Sequence, residues 1–144
     1  MYLERYAQAL LPEPDLTVSE WADEYRILDQ GSSSEPGRWR TDRTPYLREI
    51  MDSLSSKSDD DIIVFMKGAQ IGATEAGNNW LGYVIHHAPG PMLYVMPTVD
   101  SAKRASKQRI GPMLDSIPEV AAKVATPRAR DSGNTLFQKD YPGG

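Results

Sequence analysis

The residues in this chain best suited to chemistry lie in the stretch KGAQIGAT, residues 67–74. A phosphate-binding loop needs a strand, a tight turn with inward-facing N–H groups, and a helix whose N-terminus points at the anion. It also needs a lysine to neutralise phosphate charge and a hydroxyl for Mg²⁺. Lys67 supplies the ammonium group and Thr74 the hydroxyl, while Gly68 and Gly72 permit dihedral angles that a side chain would disfavour. The residue types therefore predict phosphate binding.

The spacing of these residues departs from the usual G-x-x-x-x-G-K-[ST] pattern. When Gly72 and Thr74 are aligned with it, Ala73 occupies the lysine position and Lys67 occupies the first glycine position. A long side chain at the mouth of the loop could still fold back over the phosphates. An ordinary turn between a strand and a helix would carry the same letters, so the loop alone leaves both interpretations open.

The surrounding pattern predicts the elements that would position this loop. Continuous apolar runs at 62–66 and 92–96 are typical of parallel strands that are buried on both faces. Helices are predicted from Thr74 to about His87 and from Val99 to about Leu114. The order strand, turn, helix, strand, helix predicts an α/β fold with a parallel sheet. Further along, the pattern predicts a short helix over 117–124, a loop over 126–134 and a strand over 135–138.

The N-terminal third has a different, helical pattern. A helix is predicted over 3–11, and a second over 17–25, where Thr17 and Glu20 have the spacing of a capping box. A Gly-, Ser- and Pro-rich loop covers 29–40. A further helix is predicted to run to about Leu54, with Thr44 as its cap and Pro45 at its first position.

Composition excludes several classes of protein. The 144 residues fit one domain. Without cysteine there is no disulfide scaffold or thiolate metal site, and His86 and His87, as neighbours on a helix, point in different directions. The N-terminus is not a secretory signal, and no apolar run approaches the roughly 20 residues of a membrane span.

Charge is unevenly distributed along the chain. The formal net charge is −4, but residues 1–61 hold 14 acids and 7 bases, whereas residues 62–144 hold 6 acids and 9 bases. A mildly basic second half suits a phosphate-bearing partner. Ordinary scatter of surface charge would give a similar balance, so charge supports a nucleic-acid partner only together with other observations.

Several collinear blocks resemble the N-terminal ATPase region of the lambda-type phage terminase large subunit, the GpA-like family, whose members drive DNA into an empty procapsid. Together they cover nearly all of the chain from about Val18 onward. A basic residue at the start of the loop, where Lys67 stands, is also a feature of that family. The blocks are WADEYRIL (21–28), PGRWRTDRTPYLREIMD (36–52), VFMKGAQIGATE (64–75), NWLGYVIHHAPGPMLYVMPT (79–98), AKRASKQRIGPML (102–114) and RDSGNTLFQKDYPGG (130–144).

The resemblance implies a P-loop NTPase fold of the RecA/helicase-like type, which binds ATP with Mg²⁺. Lys67 would contact the β and γ phosphates, and Thr74 would ligate Mg²⁺. Tyr46 would lie beside the adenine, although an aromatic residue that only anchors its helix would look the same. The backbone N–H groups facing the phosphates would be those of Gly68, Ala69, Gln70, Ile71, Gly72 and Ala73.

The resemblance also implies partners. Thr98 follows the second predicted strand in a helicase-type element near DNA, and the next helix would present Lys103, Arg104 and Lys107, with Arg109 as a further candidate. A solvated helix face is the alternative for each of these residues. The implied partners are double-stranded viral DNA, the terminase small subunit, the portal of the procapsid and other copies of the chain, in the cytoplasm of the bacterial host.

One expected element is missing from the sequence. Nucleotide hydrolysis needs an apolar strand that ends in acidic residues, but the acidic run 59–61 precedes its strand. We therefore expect a helical segment with the adenine-side element over 1–55 and the first part of a P-loop core over 56–144, with no catalytic residue, weak nucleotide binding and no nuclease part. A P-loop helicase or translocase and an inactive prophage remnant remain as alternatives.

Overall fold

The computed structural model describes residues 14–31, 35–124 and 134–144. The predicted helix over 3–11 and nearly all of the predicted loop over 126–134 lie outside these residues. Within the three described ranges, no helix combines the length and the apolar character that crossing a membrane requires.

Helices are the main regular structure. They are α1 (Val18–Tyr25), α2 (Leu47–Ser53), α3 (Ala73–His86), α4 (Val99–Ala105), α5 (Gly111–Ser116) and α6 (Pro118–Ala121). A 3-10 turn covers Thr41–Arg43, and a π-helical segment, Ser106–Ile110, joins α4 to α5. The helices predicted over 17–25, 74–87, 99–114 and 117–124 are confirmed with small shifts of their ends, whereas the π-helical segment was not predicted.

Helix α1 begins as its sequence predicts. The Thr17 hydroxyl accepts a hydrogen bond from the backbone N–H of Glu20 at 3.3 Å, and the Glu20 carboxylate accepts one from the N–H of Thr17 at 2.9 Å. This reciprocal capping box satisfies donors that have no partner inside the helix. The N–H of Val18 donates to the Ser55 hydroxyl at 2.9 Å, so the chain beyond α2 completes the cap.

Helix α2 begins later than predicted. It starts at Leu47, with Tyr46 as its N-cap residue. The predicted cap, Thr44, instead accepts the N–H of Leu47 through its carbonyl at 2.9 Å, in a turn that contains Pro45. Its hydroxyl is buried and has no partner among the described residues. The prediction of a Thr44 side-chain cap was therefore wrong, because in this turn the Thr44 carbonyl, not its hydroxyl, accepts the N–H at the start of the helix.

The core lies where α1, α2 and α3 meet and extends to α5 and α6. Trp21 lies against Gly82 of α3 so closely that a Cβ atom on Gly82 would stand 2.3 Å from the Trp21 ring. The indole N–H of Trp21 donates to His86 Nδ1 at 2.9 Å. Buried apolar residues around this contact are Val18, Ala22, Leu47, Met51, Ala76, Tyr83, Ile85, Met113, Leu114, Ile117 and Val120.

The predicted parallel sheet is not present among the described residues. The one sheet there is an antiparallel pair, β1 (Ile27–Leu28) with β2 (Gly37–Arg38), in which Ile27 faces Arg38. This pair falls partly inside the predicted loop over 29–40. The described structure is thus a small mixed α/β arrangement.

The two predicted strands, 62–66 and 92–96, run without regular pairing and with most of their apolar side chains exposed. Ile62 is 83% exposed and Val64 84% exposed. An apolar run encodes a preference for a covered position, but a strand also needs a second backbone to bond with, and none lies beside these segments in the described structure. The strand predicted over 135–138 is likewise replaced by a tight turn, closed by a single bridge between Asn134 and Lys139.

Candidate functional site

The segment singled out by its residue types forms a turn that leads into α3. The backbone turns over residues 69–72, and Gly72 is the N-cap residue of α3 with φ 84°. This left-handed conformation favours glycine, and a Cβ atom there would stand 3.0 Å from the Leu47 side chain. The second left-handed residue is Gln70, with φ 57°. Gly68 does not use the conformational freedom that glycine permits, since its φ is not positive.

Lys67 lies at the start of this turn and is exposed. Its Nζ atom lies 3.5 Å from the carbonyl oxygen of Gly68, and it forms no ion pair with a residue of the described ranges. With no counter-charge among the residues of these ranges, this exposed ammonium group is available to an anion at the loop.

A cavity of about 300 Å³, here called the tyrosine-side cavity, opens on one side of the turn. The Tyr46 hydroxyl donates a hydrogen bond to the carbonyl of Ile71 at 3.0 Å, so Tyr46 does reach the loop. Tyr46 lines the cavity and is 53% exposed. Thr44, whose hydroxyl has no partner in the described part of the chain, also lines this cavity.

Three arginines in the wall of the tyrosine-side cavity were missed by the sequence reasoning. They are Arg38, Arg40 and Arg43, and they line the cavity together with the loop residues Gln70 and Gly72. Alternation along an extended segment places residues 38 and 40 on one side, a signal that the stretch RWRTDR carries. The Arg38 guanidinium donates to the Glu24 carbonyl, and Arg43 is paired with Glu35.

A second cavity of about 440 Å³, here called the threonine-side cavity, lies on the other side, between the start of α3 and the helix that begins with α4. Thr74 and Asn78 line it from α3, one helical turn apart, and Arg104 and Arg109 line it from the facing helix. Thr74 is exposed. Hydroxyl and amide groups on one wall and guanidinium groups on the other suit a phosphate with its counter-ion.

Glu75 holds the start of α3 in place between these cavities. One carboxylate oxygen accepts from Arg26 at 2.9 Å, and the other accepts from Arg109 and Asn78, each at 3.3 Å. The Arg26 side chain is 1% exposed and also donates to Asn79. Burial lowers the pKa of Arg26, and the negative charge of Glu75 opposes that shift. No sequence pattern indicated this network, because Arg26 and Glu75 are far apart in the chain.

The predicted DNA-contact residues are only partly brought together. Lys103, Arg104 and Lys107 are exposed and line one shallow depression of about 520 Å³ with Asp100 and Gln108. Thr98 instead caps α4, where its hydroxyl accepts the N–H of Ser101 at 3.1 Å and donates to the Ser101 hydroxyl at 2.8 Å. The three basic residues form an electropositive surface, whereas the Thr98 hydroxyl is already engaged.

Comparison with known proteins gives one family. The sequence model described as phage terminase large subunit gpA, ATPase domain, matches residues 33–144, which include the turn, the threonine-side cavity and the basic surface. No curated protein and no solved structure matches the chain.

Proposed function

The chain belongs to the family of the phage terminase large subunit gpA ATPase domain, and from that membership we propose that it forms the ATP-binding part of the motor that packages viral DNA into a procapsid. The observation that carries the proposal is the left-handed turn at Gln70 and Gly72, which opens the 14-residue helix α3 between two cavities lined by cationic and hydroxyl side chains. A helix N-terminus behind such a turn attracts phosphate.

Each side of the turn has its own role in this proposal. The β and γ phosphates lie along the backbone N–H groups from Gly68 to Ala73, with Lys67 neutralising their charge. The base lies on the Tyr46 side. In this proposal residues 1–55 supply the adenine side and residues 56–144 the phosphate side, and the hydrogen bond from Tyr46 to Ile71 joins the two.

The residues on the threonine side fit Mg²⁺ bound together with phosphate. The Thr74 hydroxyl is a hard oxygen ligand of the kind that Mg²⁺ prefers, and Arg104 and Arg109 face the same space as partners for phosphate oxygens. When bound, Mg²⁺ neutralises phosphate charge and orients the triphosphate. The contribution of this chain is to hold the metal at Thr74 and to fix the start of α3 through Glu75.

The basic surface of Lys103, Arg104 and Lys107 is where the DNA backbone binds, with Thr98 at the start of the same helix. In the motor, the further partners are the terminase small subunit, the portal of the procapsid and other copies of the chain, in the cytoplasm of the bacterial host. Family membership supports these partners in general terms.

Binding of a fluorescent ATP analogue tests the proposed nucleotide site. We expect Lys67→Ala to weaken binding by about tenfold or more, because one charge-assisted contact to phosphate is worth roughly 1.5–3 kcal/mol. Lys57→Ala is the matched control, since Lys57 is an exposed lysine that is paired with Asp15. Equal affinities of the Lys67→Ala variant and the unmodified chain would remove Lys67 from the site.

A further inference from the structure

An unsatisfied buried oxygen lies beside the proposed metal-binding hydroxyl. Asn78 is 1% exposed, and its Oδ1 atom has no hydrogen-bond partner among the described residues. A buried carbonyl oxygen without a donor loses the hydrogen bonds it would make with water, so such an atom in a folded protein calls for an explanation. Asn78 lines the threonine-side cavity together with Thr74.

The orientation of the Asn78 amide follows from its neighbour. Its Nδ2 atom donates to Glu75 Oε1 at 3.3 Å. Turning the amide over would bring Oδ1 against the Glu75 carboxylate and leave two acceptors facing each other. Amide orientation is assigned from such a network, and here the network leaves Oδ1 as the acceptor that still needs a donor.

We propose that Asn78 is a positioning residue for the metal site: its Oδ1 accepts a hydrogen bond from a water molecule of the hydrated Mg²⁺ that Thr74 holds. This inference rests on the proposed function and adds to it a residue that the loop pattern does not include. Residues 74 and 78 are one turn apart on the same face of α3. Mg²⁺ keeps several of its waters when bound to protein, and each of those waters is a donor.

The other charges around the cavity agree with a metal that arrives with phosphate. Arg104 and Arg109 line it, and Arg109 is already paired with Glu75. A bare cation would be repelled by these guanidinium groups, whereas a cation bound to a triphosphate brings the anion that they can contact. We therefore expect Asn78 to affect Mg²⁺ only when nucleotide is present.

Two substitutions at one position separate metal positioning from packing. Asn78→Leu removes both the donor and the acceptor, whereas Asn78→Asp removes the donor to Glu75 but keeps an acceptor oxygen. We expect Asn78→Leu to raise the half-saturating Mg²⁺ concentration for binding of a non-hydrolysable ATP analogue by about 10- to 100-fold, the usual cost of losing a group behind a metal ligand. Asn78→Asp should lower it, because a carboxylate accepts from the metal's waters more strongly than an amide oxygen, and its repulsion with Glu75 is relieved when the cation binds.

Asn79→Asp is the matched control. Asn79 is the next residue, is equally buried, and has both amide atoms engaged, with Arg26 and with the Met51 sulfur. The Asn79→Asp substitution adds the same negative charge one position away from Asn78, so it should not change the half-saturating Mg²⁺ concentration. The contrast between Asn78→Asp and Asn79→Asp tests the inference even if Asn78→Leu does not fold.

The measurements are analogue fluorescence during a Mg²⁺ titration and the free-ion signal in electron paramagnetic resonance with Mn²⁺ in its place. Equal losses in Asn78→Leu and Asn78→Asp would show a packing role and overturn the inference. So would nucleotide affinity that is the same in EDTA and in Mg²⁺, which would remove the metal from the site but leave the proposed ATP binding standing. Absence of analogue binding to the unmodified chain in either condition would overturn both.

Discussion

Two regions of the described structure differ in how many of their apolar and charged side chains are buried or paired. We call them the helical base, formed by α1, α2 and α3, and the open face, formed by residues 62–72, 92–96 and α4. In the base, Trp21 is buried and hydrogen-bonded, and Arg26 is paired with Glu75. On the open face, Val64 and Val95 are exposed, and Lys67 has no ion pair with a described residue. The base therefore stabilises the fold, while the open face offers groups to a ligand or partner.

The largest effect is expected for Trp21→Ala in the helical base. We expect it to lower the free energy of unfolding by about 3–5 kcal/mol, because it leaves a cavity against Gly82 and removes the hydrogen bond to His86. Urea unfolding followed by circular dichroism measures the change. Trp80→Ala, at a half-buried tryptophan of α3, should cost less. Equal losses would contradict the central place of Trp21 in the core.

The next effect comes from the ion pair that ties the base to the proposed site. Glu75→Gln should destabilise the chain by about 3 kcal/mol, because it removes the ion-pair partner of the buried Arg26. The comparison is Asp42→Asn, which breaks the exposed pair of Asp42 with Arg48 and should change stability by no more than about 0.5 kcal/mol. Chemical denaturation measures the free energy of unfolding of both variants. Similar losses of stability would show that burial does not determine how much an ion pair stabilises the fold.

On the open face, removing charge should change binding without changing stability. The triple variant Lys103→Ala, Arg104→Ala and Lys107→Ala should weaken duplex DNA binding on the order of 10- to 100-fold at low salt, or about 2 kcal/mol. It should also reduce the slope of log K against log salt by about 2.7. Fluorescence anisotropy at several salt concentrations measures both.

A control for this triple variant removes the same charge elsewhere. Arg43, Arg48 and Lys57 lie in the acidic N-terminal part and are each paired with an acid. Replacing these three with alanine should leave the salt slope unchanged. The same change of slope in both triple variants would assign the effect to net charge and not to the α4 surface.

The smallest effect is expected for the exposed apolar segments. Val64→Ser with Val95→Ser should change the free energy of unfolding by no more than about 0.5 kcal/mol, because both side chains are exposed already. Self-association should fall, since exposed apolar patches favour it. Sedimentation velocity and denaturation measure the two quantities. A loss above 2 kcal/mol would show that these segments are covered in the folded protein and would remove the distinction between the two regions.

The helices could be predicted because their signals are local. Thr17 and Glu20 meet within one turn of α1, and Gly72 permits the left-handed residue at which α3 begins. The π-helical segment Ser106–Ile110 could not be predicted, because its sequence continues an ordinary helical pattern. The predicted strands failed for a related reason: pairing depends on a backbone elsewhere, and no local pattern shows whether one is present.

Within the candidate site, the sequence by itself determined the order of parts: a lysine, a turn with a required glycine, a hydroxyl and a helix. It also carried the likeness that the family match over 33–144 confirms. Only the tertiary structure decided that Tyr46 reaches Ile71 and that Arg26 and Arg109 meet on Glu75. It also decided that the Asn78 oxygen, unpaired within the described part of the chain, belongs to a residue lining the same cavity as Thr74. The physical reason is range: capping and turn preferences act between residues a few positions apart, whereas charge pairing and burial depend on which distant segments fold against each other.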